Sequence, residues 1–422
     1  MLKIPALLSV LYGGITALAA PSEFLTTGTG SYYDPYRLSR AQHLCELADE
    51  VRQGNSFEGK YLVLESDITF DGSEDFTGIG TAGEDTYNSR SFCGDFNGML
   101  YTVSSLRLNT DGVSATGLFN SLGTGAYVHH LRLDSSCSVN GSRNTGGIAG
   151  IVWDGIIEFC SSQATVSGTM HVGGIVGTLH TGAIQHCVSA GNVSATKSVG
   201  GIAGTLDGTN YVNGCYNTSP VRASSPGACG GIVGEAYGRA VVAACYNIGR
   251  VTGRRSEEFD ITPAAIISDC PVPVWTGEEK GCCYVESYSG VTDRAARQFT
   301  AEQMRSATSA DYLNRTLYST DLLISPSPAA IYGDMEFTLH PTLNSGFPIM
   351  KWEIKPGGSA VTETFSDKPV TTFVIEGNRL IATGDDSVSI FTPDGRFVAE
   401  SPDIYLSPGI YIANGQKIVI TR

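Results

Sequence analysis

Four residues recur at one position of a glycine-rich repeat, and their types could bind sugars. Trp153, His180, Asp207 and Tyr237 each follow the last glycine of a Gly-Gly-Ile-x-Gly motif by three residues. If the repeats stack, these side chains form one outward column, where aromatic faces contact sugar rings and polar groups bind hydroxyls. The alternative is ordinary variation at a solvated turn. A single aspartate beside a single histidine is a poor general acid and base pair, so a polysaccharide-acting enzyme is the second interpretation.

Other signals of catalysis or cofactor binding are weak. The chain contains no Gly-x-Ser-x-Gly and no His-Glu-x-x-His motif. The adjacent Cys282 and Cys283 lack the short, gapped spacing of a metal site. His129 and His130 lie in a strand-like run, where alternation turns one of them outward. We therefore predict no catalytic group, no metal and no cofactor.

Four cysteines keep step with the repeat. Cys160, Cys187, Cys215 and Cys245 follow the second glycine of their motifs by 13 or 14 residues. One interpretation is a column of buried free thiols, which suits cysteine as a small apolar residue. The other is disulfides between successive repeats, which export from the cell would permit.

The repeat itself predicts the fold. Gly146, Gly173, Gly200 and Gly230 begin its copies, at steps of 27, 27 and 30 residues. The apolar runs within each copy are too short for helices, and one copy cannot bury its own apolar face. A second column of valines, six residues after each cysteine, holds the same phase. These features predict an all-β parallel solenoid with inward ladders of Ile or Val, Cys and Val.

Composition and the first residues indicate an exported protein. Glycine supplies 51 of 422 residues, and the net charge of −15 disfavours nucleic acid and anionic lipid as partners. Residues 1–20 have a lysine, an apolar run and an Ala-Leu-Ala site, which is typical of a signal peptide. No later segment reaches the apolar length of a transmembrane helix.

The repeat resembles the GLUG repeats of bacterial surface proteins, which are common in Bacteroidetes. The copy from 173 to 191, GGIVGTLHTGAIQHCVSAG, is the most similar, and Cys-Tyr-Asn at 215–217 and at 245–247 fits a variant of the family. The flanking segments 92–98 and 344–349 resemble the family's opening and closing motifs, with Asn97 in place of Asp. The resemblance covers about residues 38–352 and implies a solenoid rather than a particular activity.

A different pattern begins near residue 371. Six or seven short apolar runs alternate with turn signals, which predicts a small antiparallel β-sandwich. The segments 388–396 and 406–412 resemble C-terminal sorting domains of exported Bacteroidetes proteins. That resemblance implies passage across the outer membrane or attachment to it, whereas the plain alternative is a terminal module that caps or spaces.

The sequence thus divides into five parts. They are a signal peptide (1–20), an N-terminal cap with the first coils (21–110), the repeat solenoid (111–295), a closing segment (296–355) and the C-terminal β-sandwich (365–422). The leading hypothesis is a secreted or cell-surface protein, located on the extracellular side of the outer membrane, that binds a glycan or a protein without catalysis. The alternatives are a polysaccharide-acting β-helix enzyme and a structural spacer or fimbria-like component.

Overall fold

The structure is a computed structural model of the chain. It describes residues 22–82, 90–110, 112, 114–258, 260–268, 277–317 and 335–354, and the backbone of strands between 373 and 420. The predicted signal peptide lies outside these residues, as do residues 356–364 between the predicted closing segment and the predicted β-sandwich.

The chain winds into a parallel β-solenoid of about seven turns, which confirms the predicted fold class. Each repeat returns to the same sheets, so strands one copy apart pair in parallel register. The valine column shows this directly, because Val139, Val166, Val193, Val221 and Val251 pair in order and are all buried.

Four parallel sheets form the walls of the coil. The largest has two arms joined by a corner. Its first arm contains Phe119–Leu122, Ala149–Val152, Val176–Leu179 and the starts of the long strands Ala203–Asn213 and Val233–Ala243. Its second arm contains Tyr36–Leu38, Tyr61–Leu64, Asp95–Asn97, Ala126–His129, Gly155–Glu158, Gly182–Gln185, the ends of the two long strands and Glu278–Lys280.

The remaining walls consist of shorter strands. The second sheet contains Ile68–Thr69, Thr102–Ser104, Arg132–Leu133, Ser161–Ser162, Val188–Ser189, Tyr216–Asn217, Tyr246–Asn247, Cys283–Tyr284 and Arg297–Gln298. The third contains Arg107–Thr110, Ser138–Gly141, Thr165–Ser167, Val193–Ala195, Val221–Pro226 and Val251–Arg254. The fourth contains Arg143–Gly146, Met170–Gly173, Lys197–Gly200 and Cys229–Gly230.

The second glycine of each motif is required because the turns approach closely there. A Cβ atom added at Gly147, Gly174, Gly201 or Gly231 would lie less than 3.0 Å from a backbone carbonyl oxygen of the next turn. Any side chain would therefore push the next turn away. The isoleucine that follows each of these glycines points inward and is fully buried.

A second corner of the coil needs a left-handed backbone. In each turn from Leu100 (φ 62°) to Gly281 (60°), the residue at this corner has a positive φ, as at Phe159 (51°) and Ala244 (49°). Only two of the seven residues at this corner in the described turns, Gly214 and Gly281, are glycines. A left-handed residue with a side chain costs about 1 kcal/mol, so stacking between turns must offset that cost.

Helical segments flank the coil. Near its start lie a short 3₁₀ helix, Glu23–Thr26, and an α-helix that spans Ala41–Gln53 and buries Leu44, Leu47, Ala48 and Val51. Helix Glu286–Ser289 lies at the end of the coil. The closing segment contains helices Ala301–Met304 and Ala307–Leu317, 3₁₀ turns Leu343–Gly346 and Lys351–Ile354, and the antiparallel pair Phe337–Thr338 with Ile349–Met350. Thr300 and Gln303 form a capping box at the start of helix Ala301–Met304.

The closing segment packs against the outer side of the second sheet. Trp352 is buried against Phe159 and donates a hydrogen bond from its indole nitrogen to the carbonyl oxygen of His186 at 3.1 Å. Tyr216 and Tyr246, on adjacent strands, stack at 4.7 Å between ring centroids, and both are buried in the same apolar cluster as Trp352. This docking makes the segment part of the folded core.

A half-buried carboxyl group, that of Glu353, makes this docking dependent on pH. Glu353 accepts hydrogen bonds from the Tyr216 hydroxyl (2.6 Å) and the Met350 backbone N–H (2.7 Å). Burial raises the pKa of Glu353 from 4.5 to about 7. Between about pH 4.5 and 7, the folded protein therefore holds a proton on Glu353 that the unfolded chain has lost. The stabilisation that results is fully present below pH 4.5 and is lost as pH rises through about 7.

The free energy of unfolding of the parent protein should fall by about 3 kcal/mol between pH 4.5 and 7. We expect Glu353→Gln to abolish this fall. Urea unfolding at several pH values, compared between variant and parent, measures this difference. Glu336→Gln, at a more exposed carboxylate paired with Lys351, is the matched control and should keep the parental slope. An unchanged slope in Glu353→Gln would refute the assignment.

The C-terminal strands form two antiparallel sheets. One contains Phe373–Glu376, Arg379–Ala382 and Asp403–Tyr405, and the other contains Phe397–Ser401, Val388–Phe391, Gly409–Ala413 and Gln416–Ile420. The seven strands agree with the strand-like runs in the sequence. Within the described residues, no helix combines the length and apolarity needed to span a membrane.

Candidate functional site

The four candidate residues lie at the corner between the two arms of the largest sheet. Trp153 and His180 directly follow the paired strand ends Val152 and Leu179. Asp207 and Tyr237 pair within the two long strands that continue through the corner. The structure therefore brings all four side chains together in one row along the coil, which we call the corner column.

The residues of the corner column contact one another. The rings of Trp153 and His180 stack with 4.4 Å between centroids and an interplanar angle of 3°. His180 Nδ1 lies 3.2 Å from Asp207 Oδ2, and the Asp207 side chain is exposed. Burial lowers the pKa of His180 despite the opposing effect of Asp207, so the imidazole is neutral at pH 7 and the pair is chiefly a hydrogen bond.

Trp153 is half-buried, and the residue opposite it in the preceding turn has no side chain to stack on the indole ring. Val152 pairs with Leu122, so the residue opposite Trp153 is Gly123. His180 covers one face of the ring. The Trp153 indole nitrogen is buried and has no hydrogen-bond partner among the described residues. The corner column thus ends in an aromatic platform of the kind that sugar rings stack on.

A second polar row runs beside the corner column, and the sequence patterns did not reveal it. Glu235 accepts hydrogen bonds from the Tyr237 hydroxyl (3.0 Å) and the Ser198 hydroxyl (2.7 Å). In an earlier turn, Asn144 Oδ1 accepts one from Thr178 (2.8 Å) and lies 3.0 Å from His171 Nδ1. The sequence did not reveal this row because its residues come from two different sheets and are of different amino-acid types.

The two rows place two carboxylates on one surface. Glu235 pairs with Thr205, and Asp207 lies two residues further along the same strand as Thr205. Strand geometry puts the Cα atoms of Asp207 and Glu235 about 8 Å apart. Both oxygens of Glu235 accept hydroxyl hydrogen bonds, and Asp207 pairs with His180. Both groups are therefore oriented to accept hydrogen bonds.

His129 and His130 belong to another polar cluster, on the second arm. His129 Nε2 lies 3.0 Å from Asp95 Oδ1, and its Nδ1 lies 2.7 Å from His130 Nδ1. Tyr127 stacks on His129 and donates a hydrogen bond to Glu158 at 2.7 Å. As expected from alternation, His129 occupies an outward position of its strand, although it is almost fully buried.

At the corner column, Asp207 is exposed, and Trp153, His180 and Tyr237 are half-buried. Two shallow depressions, of about 460 and 320 Å³, lie elsewhere, around Phe299 and around Arg222. Across the described ranges, no group of three or more His, Cys, Asp or Glu side chains is placed to hold a metal ion. A face with rings and acceptors suits binding of an extended ligand more than enclosure of a small one.

The cysteine column lies inside the coil. Cys160, Cys187, Cys215 and Cys245 are fully buried in successive turns, and Cys282 adds a fifth member that the repeat spacing did not reveal. All ten described cysteines are free thiols. Burial raises the pKa of Cys160 and Cys187 well above its usual value, so these thiols are inert packing groups.

We expect iodoacetamide at pH 8 to leave the eight buried cysteines of the described region unmodified in the native protein. Cys45 and Cys93 are partly exposed and should react slowly, because burial raises the pKa of Cys45 to about 11. Peptide mass spectrometry of native and urea-unfolded samples checks this. If the eight buried cysteines did not react in urea in the absence of a reductant, that result would instead indicate disulfides.

Comparisons with known proteins show the fold. No protein-family model matches the chain, and no curated protein matches it. Among solved structures, the chain is similar to the crystal structure of a "putative immunoglobulin A1 protease" from Bacteroides ovatus, with a TM-score of 0.59 and 18% identity. The match covers 77% of this chain and 94% of that one. At this identity, the similarity establishes the solenoid architecture alone.

Proposed function

We propose that this chain is an exported GLUG-type surface protein that binds an extracellular glycan along the corner column. The observation that carries the proposal is the stack of Trp153 on His180, continued by Asp207 and Tyr237, at a corner of a rigid coil. The stack holds rings and hydrogen-bond acceptors at a regular spacing. A repeating ligand gains affinity from several such contacts at once.

The experiment is a glycan and matrix-protein array probed with residues 21–422, followed by titration of the best ligand. Trp153→Ala and Tyr237→Ala are each expected to weaken binding about tenfold, which corresponds to about 1.4 kcal/mol. Tyr211→Ala is the matched control, since Tyr211 lies on the same strand as Asp207 but outside the corner column. Equal losses in all three variants, or no ligand on the array, would contradict the proposal.

Hydrolysis of a polysaccharide is the second candidate function, and the Asp207–Glu235 pair favours it. Glycosidases use two carboxyl groups separated by about 5–10 Å, and Asp207 and Glu235 lie close together on two paired strands. Release of reducing ends from any polysaccharide that binds, and its loss in Asp207→Asn, would support hydrolysis. Binding without release would leave the corner column as a recognition site.

The proposed location is the extracellular side of the outer membrane, reached through the C-terminal strands. Support comes from the signal-like first twenty residues and from the sorting-like segments near 388–396 and 406–412. Protease shaving of intact cells tests this location. The full chain should be cleaved at the surface, and a chain lacking 365–422 should be protected inside the cell envelope.

A further inference from the structure

We infer a second binding site, for an uncharged sugar unit, at a tyrosine patch on the second arm of the largest sheet. The patch consists of Tyr32, Tyr33, Tyr61, Asp95 and Tyr127. Tyr33 and Tyr32 are the most exposed large apolar side chains of the described residues, at 67% and 58%. Aromatic side chains exposed to this degree on a rigid surface commonly mark a contact site.

The turn that carries the two exposed tyrosines is held rigidly. Thr29 donates backbone hydrogen bonds to Asp34, and Tyr61 N–H donates to the Gly30 carbonyl oxygen at 3.1 Å. Gly30 has a φ of 69°, and a Cβ atom there would collide with the Tyr36 ring. The rings of Tyr32 and Tyr33 are therefore presented with little loss of freedom on binding, which favours affinity.

The rings surround a hydrogen-bond acceptor. Tyr32 packs edge-on against Tyr33 and Tyr61, with centroids 5.1 and 5.4 Å apart. Tyr61, Asp95 and Tyr127 lie side by side on three adjacent strands. Asp95 Oδ1 pairs with His129, whereas the described residues supply no hydrogen bond to Oδ2. A sugar stacked on a tyrosine ring could donate a hydroxyl hydrogen bond to that oxygen.

The chemistry favours an uncharged sugar over other ligands. A central carboxylate and a net charge of −15 repel sulfated, sialylated or uronic acid chains. No exposed large aliphatic side chain of the described residues lies in the patch; Leu343 and Ile354 belong to the closing segment. A protein interface buries about 800 Å² per partner around apolar anchors, which a few tyrosine rings do not supply.

The test uses residues 21–422 and a panel of dextran, galactomannan, β-1,3-glucan and dextran sulfate, measured by titration calorimetry. We expect at least one neutral polysaccharide to bind, with an affinity unchanged between 50 and 500 mM NaCl (roughly 14 and 4 Å of screening length). Tyr33→Ala should weaken this binding about tenfold, and Tyr33→Phe should keep most of it. Tyr288→Ala, at an exposed tyrosine near the end of the coil, is the matched control.

The outcomes separate this site from the corner column. Loss of binding in Tyr33→Ala with retention in Trp153→Ala supports the tyrosine patch, and the reverse supports the corner column alone. Preference for dextran sulfate, strong weakening by salt, or an effect of Tyr33→Ala only on a bound protein would overturn the inference. Absence of binding to every neutral polysaccharide would overturn it as well.

Discussion

Replacement of Gly201 by alanine is expected to lower the free energy of unfolding by about 3 kcal/mol. The added Cβ would lie less than 3.0 Å from the Gly231 carbonyl oxygen and from the Asn217 side chain. Because the carbonyl belongs to the backbone of the next turn, no rotamer change relieves the contact. Urea unfolding followed by circular dichroism measures the loss.

Gly125→Ala is the matched control for this prediction. Gly125 has a φ of 77°, and no heavy atom lies within 4 Å of an added Cβ. Its replacement should cost only the backbone strain, about 1 kcal/mol. If both variants lost the same stability, strain rather than the close approach of turns would explain the glycine repeat.

Replacement of Trp352 by alanine should destabilise the protein by about 3–5 kcal/mol, the range for a buried large aromatic residue. Trp352 is 1% exposed, packs against Phe159 and lies beneath the Arg132 guanidinium. Its loss should release the closing segment from the second sheet. Limited proteolysis, with cleavage sites mapped to residues 296–354, reports this release separately from global unfolding.

Ile354→Ala serves as the comparison for Trp352→Ala. Ile354 lies in the same 3₁₀ turn but is 48% exposed, so its truncation should change stability by less than about 0.5 kcal/mol. Cleavage first within the repeats in Trp352→Ala would be incompatible with Trp352 as the anchor of the closing segment.

The repeating parts of the fold could be predicted from the sequence because equivalent residues have equivalent surroundings. Motifs such as Gly173-Gly174-Ile175 share one register, so their glycines, isoleucines and valines identify the inward ladders directly. The same phase argument places Trp153 and Tyr237 on one outer corner. The repeat did not identify Cys282 as a member of the cysteine column, because Cys282 follows Cys245 by 37 residues and the period of the repeat is 27 to 30.

The remaining features depend on contacts that a repeat cannot encode. Trp352 binds a carbonyl group 166 residues earlier, and no local pattern marks either partner. The left-handed corner holds Phe159 and Ala244, and neither is a residue type that favours a positive φ. Glu235 and Ser198 meet only because two sheets join beside the corner column. The signal peptide, the sorting role and the ligand stay predictions.

Docking of the closing segment should affect the order in which the turns of the solenoid unfold. In a solenoid, each turn contacts only its neighbours, so such proteins tend to fray from their ends. Here the segment reaches the turns of His186, Tyr216 and Tyr246 through Trp352, Glu353 and Asn344. The closing segment links those three turns by non-covalent contacts, so they should unfold as one unit. A pulling force should therefore unfold the N-terminal turns first.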